Sequence, residues 1–343
     1  MIRTARIASA LSVGTLLVAG CGGSGKATPS TTTANSADSS PSSATSLEQQ
    51  FVAVVRQTQP SVAQIQTDQG LGSGVIFDAT NGDIVTNAHV LAGASSIRVT
   101  LADGRRFPAR LVGAYAPDDL AVVSVGTGHA LKPARFGDSS KLQVGEIVLA
   151  AGNPLGLQSS ITDGIVSALG RNVSEGQGVV LPGAIQTSAP INPGNSGGAL
   201  VDLQAQVIGI PTLAAGNPQS GGAAAGIGFA IPSNLVRDIA GQIVRYGRVV
   251  QSHRAAIGVS VADSSYRPGA LVVAVQSGGP ADKTGIVPGD SIDAIDGKTV
   301  QSADDFATLL ATLEPGRTVK LTITRQDGQS TTVTATLGKL AGG

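Results

Sequence analysis

The feature that most limits the fold is the spacing of short apolar runs between residues 60 and 232. Each run is a few residues long and is bounded by Gly, Asp or Pro, which is the pattern of strands joined by turns. No long helical repeat interrupts the runs, so the pattern is typical of an antiparallel barrel or sandwich of roughly a dozen strands. The runs are residues 61–66, 74–77, 84–86, 97–101, 120–125, 147–151, 161–169, 199–201, 207–210 and 227–231.

Composition agrees with a β-rich, turn-rich protein. Aromatic residues make up 3% of the 343 residues and Trp is absent, whereas there are 46 glycines. Cores must therefore be built from Val, Ile, Leu and Ala, and the length suggests two domains with segments outside them. The 23 basic and 23 acidic residues balance, so we expect no nucleic-acid partner. The sequence shows no paired His/Cys cluster and no phosphate-cradling glycine loop, so we expect neither a metal nor a cofactor.

A glycine-rich turn at residues 194–198 (GNSGG) places a serine where a nucleophile could stand. The glycines permit unusual backbone angles and a close approach of substrate. The turn residues Gly194, Asn195 and Ser196 are candidates for an oxyanion hole, in which the N–H groups of Gly194 and Ser196 would converge on one oxygen. An ordinary turn has the same composition, so the interpretation depends on a general base and a carboxylate elsewhere in the chain.

His89 and Asp119 can supply those two groups. A serine hydroxyl needs a neutral imidazole to take its proton, and the imidazole needs a carboxylate to hold its tautomer. Of the three histidines, only His89 lies at the end of an apolar run. The order His, Asp, Ser along the chain is the order of chymotrypsin-like proteases. Asp118, directly before Asp119, is the alternative carboxylate.

Five stretches of the chain together resemble the HtrA (Deg) family of serine proteases. They are residues 71–76 (LGSGVI), 86–90 (TNAHV), 119–122 (DLAV), 194–198 (GNSGG) and 226–233 (GIGFAIPS). The resemblance runs from about Phe51 to the C-terminus. It implies a mainly β fold, a chymotrypsin-like double six-stranded β-barrel with His89 and Asp119 on the first barrel and Ser196 on the second. It also favours Asp119 as the acid, because Leu-Ala follows the acid in the family motif.

The resemblance implies a serine endopeptidase whose specificity pocket can be located in part. Pro190 and Ile191, just before the nucleophile turn, and a later loop that includes Leu213 correspond to the pocket. These positions carry no acidic residue that could receive Arg or Lys. We therefore expect a small apolar pocket that prefers side chains such as Val, Ala or Leu, with modest discrimination.

Two residues depart from the family pattern, and two segments resemble its mobile activation loops. Ser188 stands where an acidic residue is frequent, and Pro211 replaces a more usual polar residue. Both lie beside the pocket, so they affect the expected subsite preference and regulation more than the chemistry. Residues 152–156 and 213–226 resemble the activation loops, although any surface loop can be equally rich in glycine.

Residues 1–20 are interpreted as a bacterial lipoprotein signal. Arg3 and Arg6 provide the positive start, and residues 7–19 are apolar but too short to span a bilayer comfortably. Small residues precede Cys21, which resembles the cysteine that carries the lipid after cleavage. We therefore expect an extracytoplasmic protein anchored to the membrane through Cys21, with an ordinary signal peptide or a short anchor as the alternative. Cys21 is the only cysteine, so no intrachain disulfide is possible.

The segment after Cys21 is expected to be a tether, followed by a helix. Residues 21–46 are mostly Gly, Ser, Thr, Ala and Pro, too polar to order themselves, and would hold the enzyme roughly 25–30 Å from the membrane. Ser46 and Gln49 have capping-box spacing. The resemblance implies that this segment takes part in homotrimer contacts, whereas a helix packed on its own barrel is the alternative. The residues of its apolar face are Leu47, Phe51, Val54 and Val55.

Residues 232–250 are expected to form a helix that docks on the barrel and leads to a linker. Ser233 can cap this helix, and Arg245 and Arg248 lie at its C-terminal end, where the helix dipole favours cations. His253 is interpreted as a linker residue. The apolar stripe of the helix consists of Leu235, Val236, Ile239, Ile243 and Val244.

A second unit, at residues 254–340, resembles the small α+β PDZ domain that follows HtrA proteases, which leaves residues 47–250 for the protease domain. PDZ domains add a peptide to a sheet edge and bind its terminal carboxylate with backbone N–H groups. The partners implied are therefore unfolded polypeptides or protein C-termini. The groove wall is expected from Phe306, Leu309 and Leu310, some of which must also be core. The corresponding carboxylate-binding loop consists of Ala256, Ile257, Gly258 and Val259.

Three functions are compatible with these features. The first is an exported endopeptidase that cuts unfolded or damaged envelope proteins, with a PDZ domain that recruits substrate or activates the enzyme. The second is an envelope-stress sensor that cleaves one specific substrate and needs an activating peptide. The third is a chaperone or peptide-binding protein with little proteolysis, whose site is held misaligned until a ligand shifts the loops.

Overall fold

The computed structural model describes residues 43–340 except 154–159, 177–178, 193, 217–222 and 265. For residues 43–45, 175–176, 179, 213–216 and 223–225 it describes the backbone without the side-chain environment. The predicted signal, most of the predicted tether and Cys21 lie outside the described residues. Within the described part, no helix combines the length and the apolar character needed to cross a membrane.

The first barrel follows a helix, α1 (Ser43–Thr58), and closes on itself. Its strands pair in the order β1-β2-β3-β6-β5-β4, and β4 pairs back on β1 with Ile65 opposite Val99. The interior is filled by aliphatic residues such as Ile65, Ile76 and Ile84. The strands are β1 (Val62–Thr67), β2 (Leu71–Asp78), β3 (Asp83–Thr86), β4 (Ile97–Thr100), β5 (Arg106–Tyr115) and β6 (Leu120–Ser124).

The second barrel has the same strand number and also closes. Its strands pair in the order β10-β11-β12-β9-β8-β7, and β10 pairs back on β7. The expected double six-stranded β-barrel is therefore confirmed. The strands are β7 (Ile147–Gly152), β8 (Ser160–Gly176), β9 (Val179–Thr187), β10 (Ala199–Val201), β11 (Val207–Gly216) and β12 (Ala223–Pro232).

The spacing of apolar runs missed strands β5 and β9. In β5 most side chains are exposed or half-buried, and Pro108 interrupts the pattern. In β9 the sequence Pro182-Gly183 has the composition of a turn, and Gly183 has a positive φ of 67°. Both strands are held by backbone pairing with neighbours on either side rather than by an apolar alternation of their own. Hydrophobic periodicity therefore could not reveal them.

Two helices pack against the barrels. Helix α1 begins at Ser43 and not near Ser46, because residues 43–45 contain neither Gly nor Pro to prevent an earlier start. Helix α2 (Ser233–Tyr246) buries the predicted stripe in a core shared by both barrels. Its cap is Pro232, not Ser233 as predicted. The hydroxyl of Ser233 donates instead to Gly137 O at 2.9 Å, which fixes the helix start to the loop between β6 and β7.

The C-terminal part of the chain is a small α+β unit with its own core. The main sheet runs β14-β15-β16-β18-β19, β17 pairs with β16, and β13 pairs with β20. Ile257, Ile292 and Phe306 lie in its core. The strands are β13 (Ala255–Ala256), β14 (Val259–Asp263), β15 (Ala270–Val275), β16 (Ser291–Ile295), β17 (Lys298–Thr299), β18 (Thr318–Thr324), β19 (Ser330–Thr336) and β20 (Gly338–Lys339). The helices are α3 (Pro280–Lys283) and α4 (Ala303–Ala311).

Candidate active site

His89 and Asp119 meet as the sequence predicted. The Nδ1 of His89 lies 2.8 Å from Oδ2 of Asp119, and the backbone N–H of His89 donates to Oδ1 of the same carboxylate at 2.9 Å. Asp119 is buried, at 3% exposure, whereas 47% of the His89 side chain is exposed. With the Nδ1 proton directed at the carboxylate, the lone pair of the imidazole lies on Nε2, the nitrogen that can accept a proton.

The position of Asp119 depends on an unusual turn at the start of β6. Residues Ala116–Asp118 form a 3₁₀ turn, and Asp119 follows it in the left-handed region with φ 49° and ψ 41°. Aspartate tolerates this region better than most side chains. The carbonyl of Asp119 accepts hydrogen bonds from the N–H of Ala88 and from Nδ2 of Asn87. The residues before the imidazole thus hold the backbone of the carboxylate.

Thr212, on β11 of the second barrel, contacts the same carboxylate. Its Oγ1 lies 2.5 Å from Oδ2 of Asp119 and donates to it. Sequence reasoning did not select Thr212, since a lone threonine in a strand carries no signal of its own. Thr212 directly follows Pro211, which departs from the family pattern, and this neighbour is the one sequence feature that could have drawn attention to it.

Ser196 lies in the turn between β9 and β10, half-buried. Its backbone is held from both barrels: the N–H of Ser73 on β2 donates to the carbonyl of Ser196, and the N–H of Gly197 donates to Pro211 O, both at 2.9 Å. Its hydroxyl donates to the carbonyl of Thr212 at 3.1 Å.

Ser73 is a second residue that sequence reasoning missed, although it lies within the LGSGVI stretch. Its fully buried hydroxyl donates to Gly194 O at 2.5 Å and accepts the N–H of Asn153 at 2.8 Å. A Cβ on Gly197 would come within 2.2 Å of Ser73 O. The nucleophile turn is therefore packed so closely on β2 that Gly197, at φ 79°, admits no side chain.

The backbone N–H groups of the nucleophile turn differ in their hydrogen bonds. The N–H of Asn195 donates to Asn192 O at 3.0 Å, so in this structure Asn195 offers no donor to an oxyanion. Gly194 adopts a φ of 107°. Among the hydrogen bonds of the described residues, none uses the N–H of Gly194 or Ser196. The N–H groups of Gly194 and Ser196 therefore stay the predicted oxyanion donors.

Asp118, the alternative carboxylate, faces away from the imidazole. Its Oδ1 accepts a hydrogen bond from Nη1 of Arg254 at 3.0 Å, and its side chain is 1% exposed. Burial raises the pKa of Asp118 to about 6, while the charge of Arg254 opposes a larger rise. Geometry therefore selects Asp119 as the partner of His89.

The predicted pocket residues differ in burial. Pro190 is exposed, whereas Ile191 is 5% exposed and lies in the core of the second barrel. Gly228 on β12 approaches Ile191 so closely that a Cβ would come within 2.4 Å of its Cγ1. The side chain of Leu213 lies outside those that the structure describes. The hydroxyl of Ser188 accepts the N–H of Ile165, which gives this departure from the family pattern a local structural role.

The predicted carboxylate-binding loop lies between β13 and β14. The Gly258 carbonyl accepts the N–H of Gln276, and Gly258 has a positive φ of 80°. Ile257 is buried in the core of the unit and its carbonyl accepts the N–H of Ala281. Of the predicted groove wall, Phe306 is core, whereas Leu309 and Leu310 are half-buried against it.

The described residues hold no group of three or more His, Cys, Asp or Glu side chains that could bind a metal ion. The groups that the site contains are the hydroxyl of Ser196, the imidazole of His89 with its buried carboxylate, and the backbone N–H groups of the nucleophile turn. Groups of these types are suited to nucleophilic acyl transfer.

Comparison with protein families gives two matches. A model described as a trypsin-like peptidase domain matches residues 72–210, and a model described as a PDZ domain matches residues 255–337. The first covers the strands that carry His89, Asp119 and Ser196. The second covers nearly all of the C-terminal α+β unit.

Several curated proteins are similar over most of the chain. The serine protease PepD of Mycobacterium tuberculosis is 41% identical over 308 residues, covering 83% of this chain and 65% of PepD. The periplasmic pH-dependent serine endoprotease DegQ of Escherichia coli is 40% identical over 282 residues, covering 79% and 60%. The serine protease Do-like HtrA of Bacillus subtilis is 37% identical over 311 residues, covering 84% and 68%. The chain thus spans about two thirds or less of the length of these relatives.

Solved structures agree with the sequence comparisons. The HtrA-type protease AlgW, solved with a decapeptide, has a TM-score of 0.58 and 33% identity, covering 84% of this chain and 98% of that one. A serine endoprotease from Yersinia pestis has a TM-score of 0.57 with the same identity and coverage. The matched domains, the identity over most of the chain and the site geometry together show that the chain belongs to the HtrA family of serine proteases, with a trypsin-like peptidase domain followed by a PDZ domain.

Proposed function

We propose that the chain is a serine endopeptidase in which Ser196 is the nucleophile, His89 the general base and Asp119 the carboxylate that orients it. The observation that carries the proposal is the two-point contact between His89 and Asp119, through Nδ1 and through the backbone N–H. A carboxylate bound at both oxygens cannot rotate freely. It therefore holds the imidazole in the tautomer that a general base requires.

The first chemical step needs a rotation of the Ser196 hydroxyl. In the structure this hydroxyl donates to Thr212 O, 3.1 Å away. Rotation about the side chain of Ser196 turns its proton towards Nε2 of His89. The oxygen then attacks the scissile carbonyl carbon while Nε2 takes the proton, and the charged imidazole is stabilised by Asp119.

The negative charge that develops on the carbonyl oxygen is stabilised by the N–H groups of Gly194 and Ser196. As the tetrahedral intermediate collapses, the peptide C–N bond breaks and His89 returns its proton to the leaving amine. The remaining acyl group is an ester of Ser196. Water, deprotonated by His89, hydrolyses that ester and regenerates the free hydroxyl.

The substrates proposed are polypeptide chains with small apolar side chains before the cleaved bond. Support comes from the apolar character of Ile191 and from the absence of acidic residues at 190 and 191. The PDZ domain would recruit protein C-termini through residues 256–259, since β14 is an edge strand of its sheet and contacts α4. The relatives DegQ and DegP are named periplasmic endoproteases.

An extracytoplasmic location with a lipid on Cys21 is part of the same proposal. It rests on the sequence of residues 1–21 and on the periplasmic relatives. Homotrimer formation through α1 is proposed on narrower grounds. A recess lies between α1 and the second barrel, and Arg56 and Asp163 line it together with apolar side chains. The apolar residues are Phe51, Val52, Val55, Leu149 and Ile161. Replacement of Cys21 by Ala should release the protein from membranes. Its retention there would contradict the lipid anchor.

The decisive experiment compares the protein with its Ser196→Ala variant on casein as an unfolded substrate. Cleavage by the unmodified protein that is lost in the variant is expected. The variant should lose no more than about 1 kcal/mol of unfolding free energy, since Ser196 contributes one hydroxyl hydrogen bond. Failure of the unmodified protein to cut casein under any condition, with both forms equally suppressing its aggregation, would replace the protease by a chaperone.

One observation favours a regulated, sensor-like protease as the second candidate. The Ser196 hydroxyl donates to the carbonyl of Thr212, which is an arrangement that an activating ligand could change. In that case hydrophobic C-terminal peptides added to the assay should raise kcat on casein several-fold. A general degradative enzyme should show no such dependence.

A further inference from the structure

Arg254 lies at the end of the segment that joins α2 to β13, and its guanidinium is buried beneath the turn that carries Asp119. Nη1 donates to Oδ1 of Asp118 at 3.0 Å and to the carbonyl of Pro117. Nη2 donates to the carbonyl of Val180 on β9 at 2.8 Å. The side chain is 14% exposed. A single planar cation thereby joins the 3₁₀ turn of the first barrel to a strand of the second.

The contact matters because Asp118 and Asp119 are consecutive. Asp119 has a left-handed backbone conformation, φ 49°, at the end of the 3₁₀ turn. Such conformations persist in non-glycine residues only where the surrounding structure holds them. Arg254 binds two of the three residues of the turn, Pro117 and Asp118. Its guanidinium therefore lies where it can set the direction in which the next residue presents its carboxylate to His89.

The backbone of Arg254 belongs to the C-terminal unit. The N–H of Leu340 donates to the Arg254 carbonyl at 2.8 Å, and the Ser252 hydroxyl donates to the Leu340 carbonyl at 2.9 Å. The next residues, Ala255–Ala256, pair with Gly338–Lys339. The peptidase domain thus receives a buried side chain whose main chain is held by the PDZ domain.

We propose that Arg254 is a positioning residue for the triad carboxylate, so that the active site is complete only when the Arg254 guanidinium is bound to the turn before Asp119. The proposal rests on the assignment of Asp119 to the catalytic triad. It assigns to Asp118, which the sequence left as a rival acid, the role of anchoring this arginine.

Loss of the cation has a clear physical consequence for Asp118. Its Oδ2 is buried without a hydrogen-bond partner in the described part of the chain, so Arg254 provides its polar contact. Two other groups interact electrostatically with Asp118: the carboxylate of Asp238, which disfavours a negative charge on Asp118, and the phenol of Tyr115. Asp238 in turn pairs with His253 at 3.4 Å. A carboxylate left alone in this site must take up a proton or move towards water. Movement would displace the turn.

The test uses Arg254→Gln, Asp118→Asn and the double variant, with His253→Asn as the matched control. His253 lies next to Arg254, and its exposed contact with Asp238 is also an ion-pair geometry. Asparagine keeps the left-handed backbone, φ 55°, that this position adopts. Each variant is assayed for kcat and KM on casein and for the proton NMR resonance of His89 Nδ1–H, which lies far downfield while that proton is held by a carboxylate.

In Arg254→Gln we expect kcat to fall by about tenfold or more with little change in KM, and the Nδ1–H resonance to shift or broaden. Asp118→Asn should have a smaller effect, because Arg254 keeps both carbonyl contacts. The double variant should recover part of kcat relative to Arg254→Gln, since it buries no unpaired carboxylate. His253→Asn should match the unmodified protein.

The proposal is overturned if Arg254→Gln folds and keeps both its kcat and its resonance. It is also overturned if the double variant is no better than Arg254→Gln. Should Arg254→Gln fail to fold, Arg254→Lys takes its place. The acceptors are bound by two nitrogens, Nη1 and Nη2, whose positions one ammonium nitrogen cannot both occupy, so kcat must still fall. Absence of casein cleavage by the unmodified protein would refute the protease instead, and the NMR comparison would then test the positioning of His89 independently.

Discussion

Thr212 Oγ1 and Asp119 Oδ2 lie 2.5 Å apart, across the boundary between the two barrels. His89 approaches the same carboxylate from the first barrel, so Asp119 is held by side chains from both. The orientation of the carboxylate therefore depends on how the barrels pack on each other, as well as on the strand that carries it.

Thr212→Val removes the hydroxyl and keeps the shape of the side chain. We expect kcat to fall by about tenfold to a hundredfold, because a carboxylate that loses one of its donors orients the imidazole less well. Thr212→Ser should restore most of the activity, since it retains the hydroxyl. Steady-state kinetics on a peptide substrate give the result. Equal kcat values for the valine and serine variants would show that the hydroxyl does not support Asp119.

Ser73→Ala should weaken the oxyanion hole without touching any group that reacts. The Ser73 hydroxyl holds Gly194 O on one side of the turn and the N–H of Asn153 on the other. We expect kcat to fall by about tenfold, and a peptide aldehyde, which mimics the tetrahedral state, to bind correspondingly less tightly. Binding of the product peptide should be unchanged.

The control for Ser73→Ala is Ser124→Ala. Ser124 lies in the same barrel and its hydroxyl also donates to a backbone carbonyl, that of Asn81. This variant should lose about 1 kcal/mol of unfolding free energy and keep its kcat. If both alanine variants lowered kcat equally, Ser73 would have a general structural role and no specific one in the nucleophile turn.

Asp118 should make stability depend on pH between about 4 and 6. Burial raises the pKa of this carboxyl from 3.8 to about 6 in the folded protein, so the folded state binds more protons than the unfolded state within that window. The contribution of Asp118 to the free energy of unfolding therefore decreases as pH rises from 4 to 6 and is constant above 6. Asp118→Asn abolishes this contribution.

The measurement is urea unfolding of Asp118→Asn and the unmodified protein at pH 4, 5, 6 and 7. The stability of the variant relative to the unmodified protein should increase by on the order of 2 kcal/mol from pH 4 to pH 6 and then level off. A constant difference across the series would mean that folding leaves the pKa of Asp118 at its usual value.

Gly228→Ala should change the specificity pocket if Ile191 forms it. A Cβ at position 228 would come within 2.4 Å of Ile191 Cγ1, so the isoleucine must move. We expect the ratio of kcat/KM for Leu over Ala before the cleaved bond to fall severalfold, because hydrophobic pockets discriminate by size to about that extent. Gly241→Ala, on α2 with open space around it, should leave the ratio unchanged. An unaltered ratio in Gly228→Ala would remove Ile191 from the pocket.

Much of the fold could be predicted because its signals are local. Ten strands show as apolar runs between turn residues, and the stripe of α2 shows as a helical period. Strands β5 and β9 could not be predicted in this way. They are held by backbone hydrogen bonds to neighbouring strands, and their own sequences show no clear apolar run between turn residues. The same reasoning placed the start of α1 three residues late and chose Ser233 as the cap of α2, because propensity alone does not decide where a helix ends.

The sequence by itself determined which chemical groups are present and in what order: a serine in a glycine-rich turn, a histidine after a strand, and an Asp-Asp pair before another. The residues alone left Asp118 and Asp119 as alternatives, and the family resemblance favoured Asp119. The tertiary structure shows that Asp119 contacts His89 whereas Asp118 pairs with Arg254. It also selected Ser73 and Thr212, whose partners lie 121 and 93 residues away along the chain. Contacts of this kind form when two barrels pack against each other, and no pattern within a short stretch of sequence predicts them.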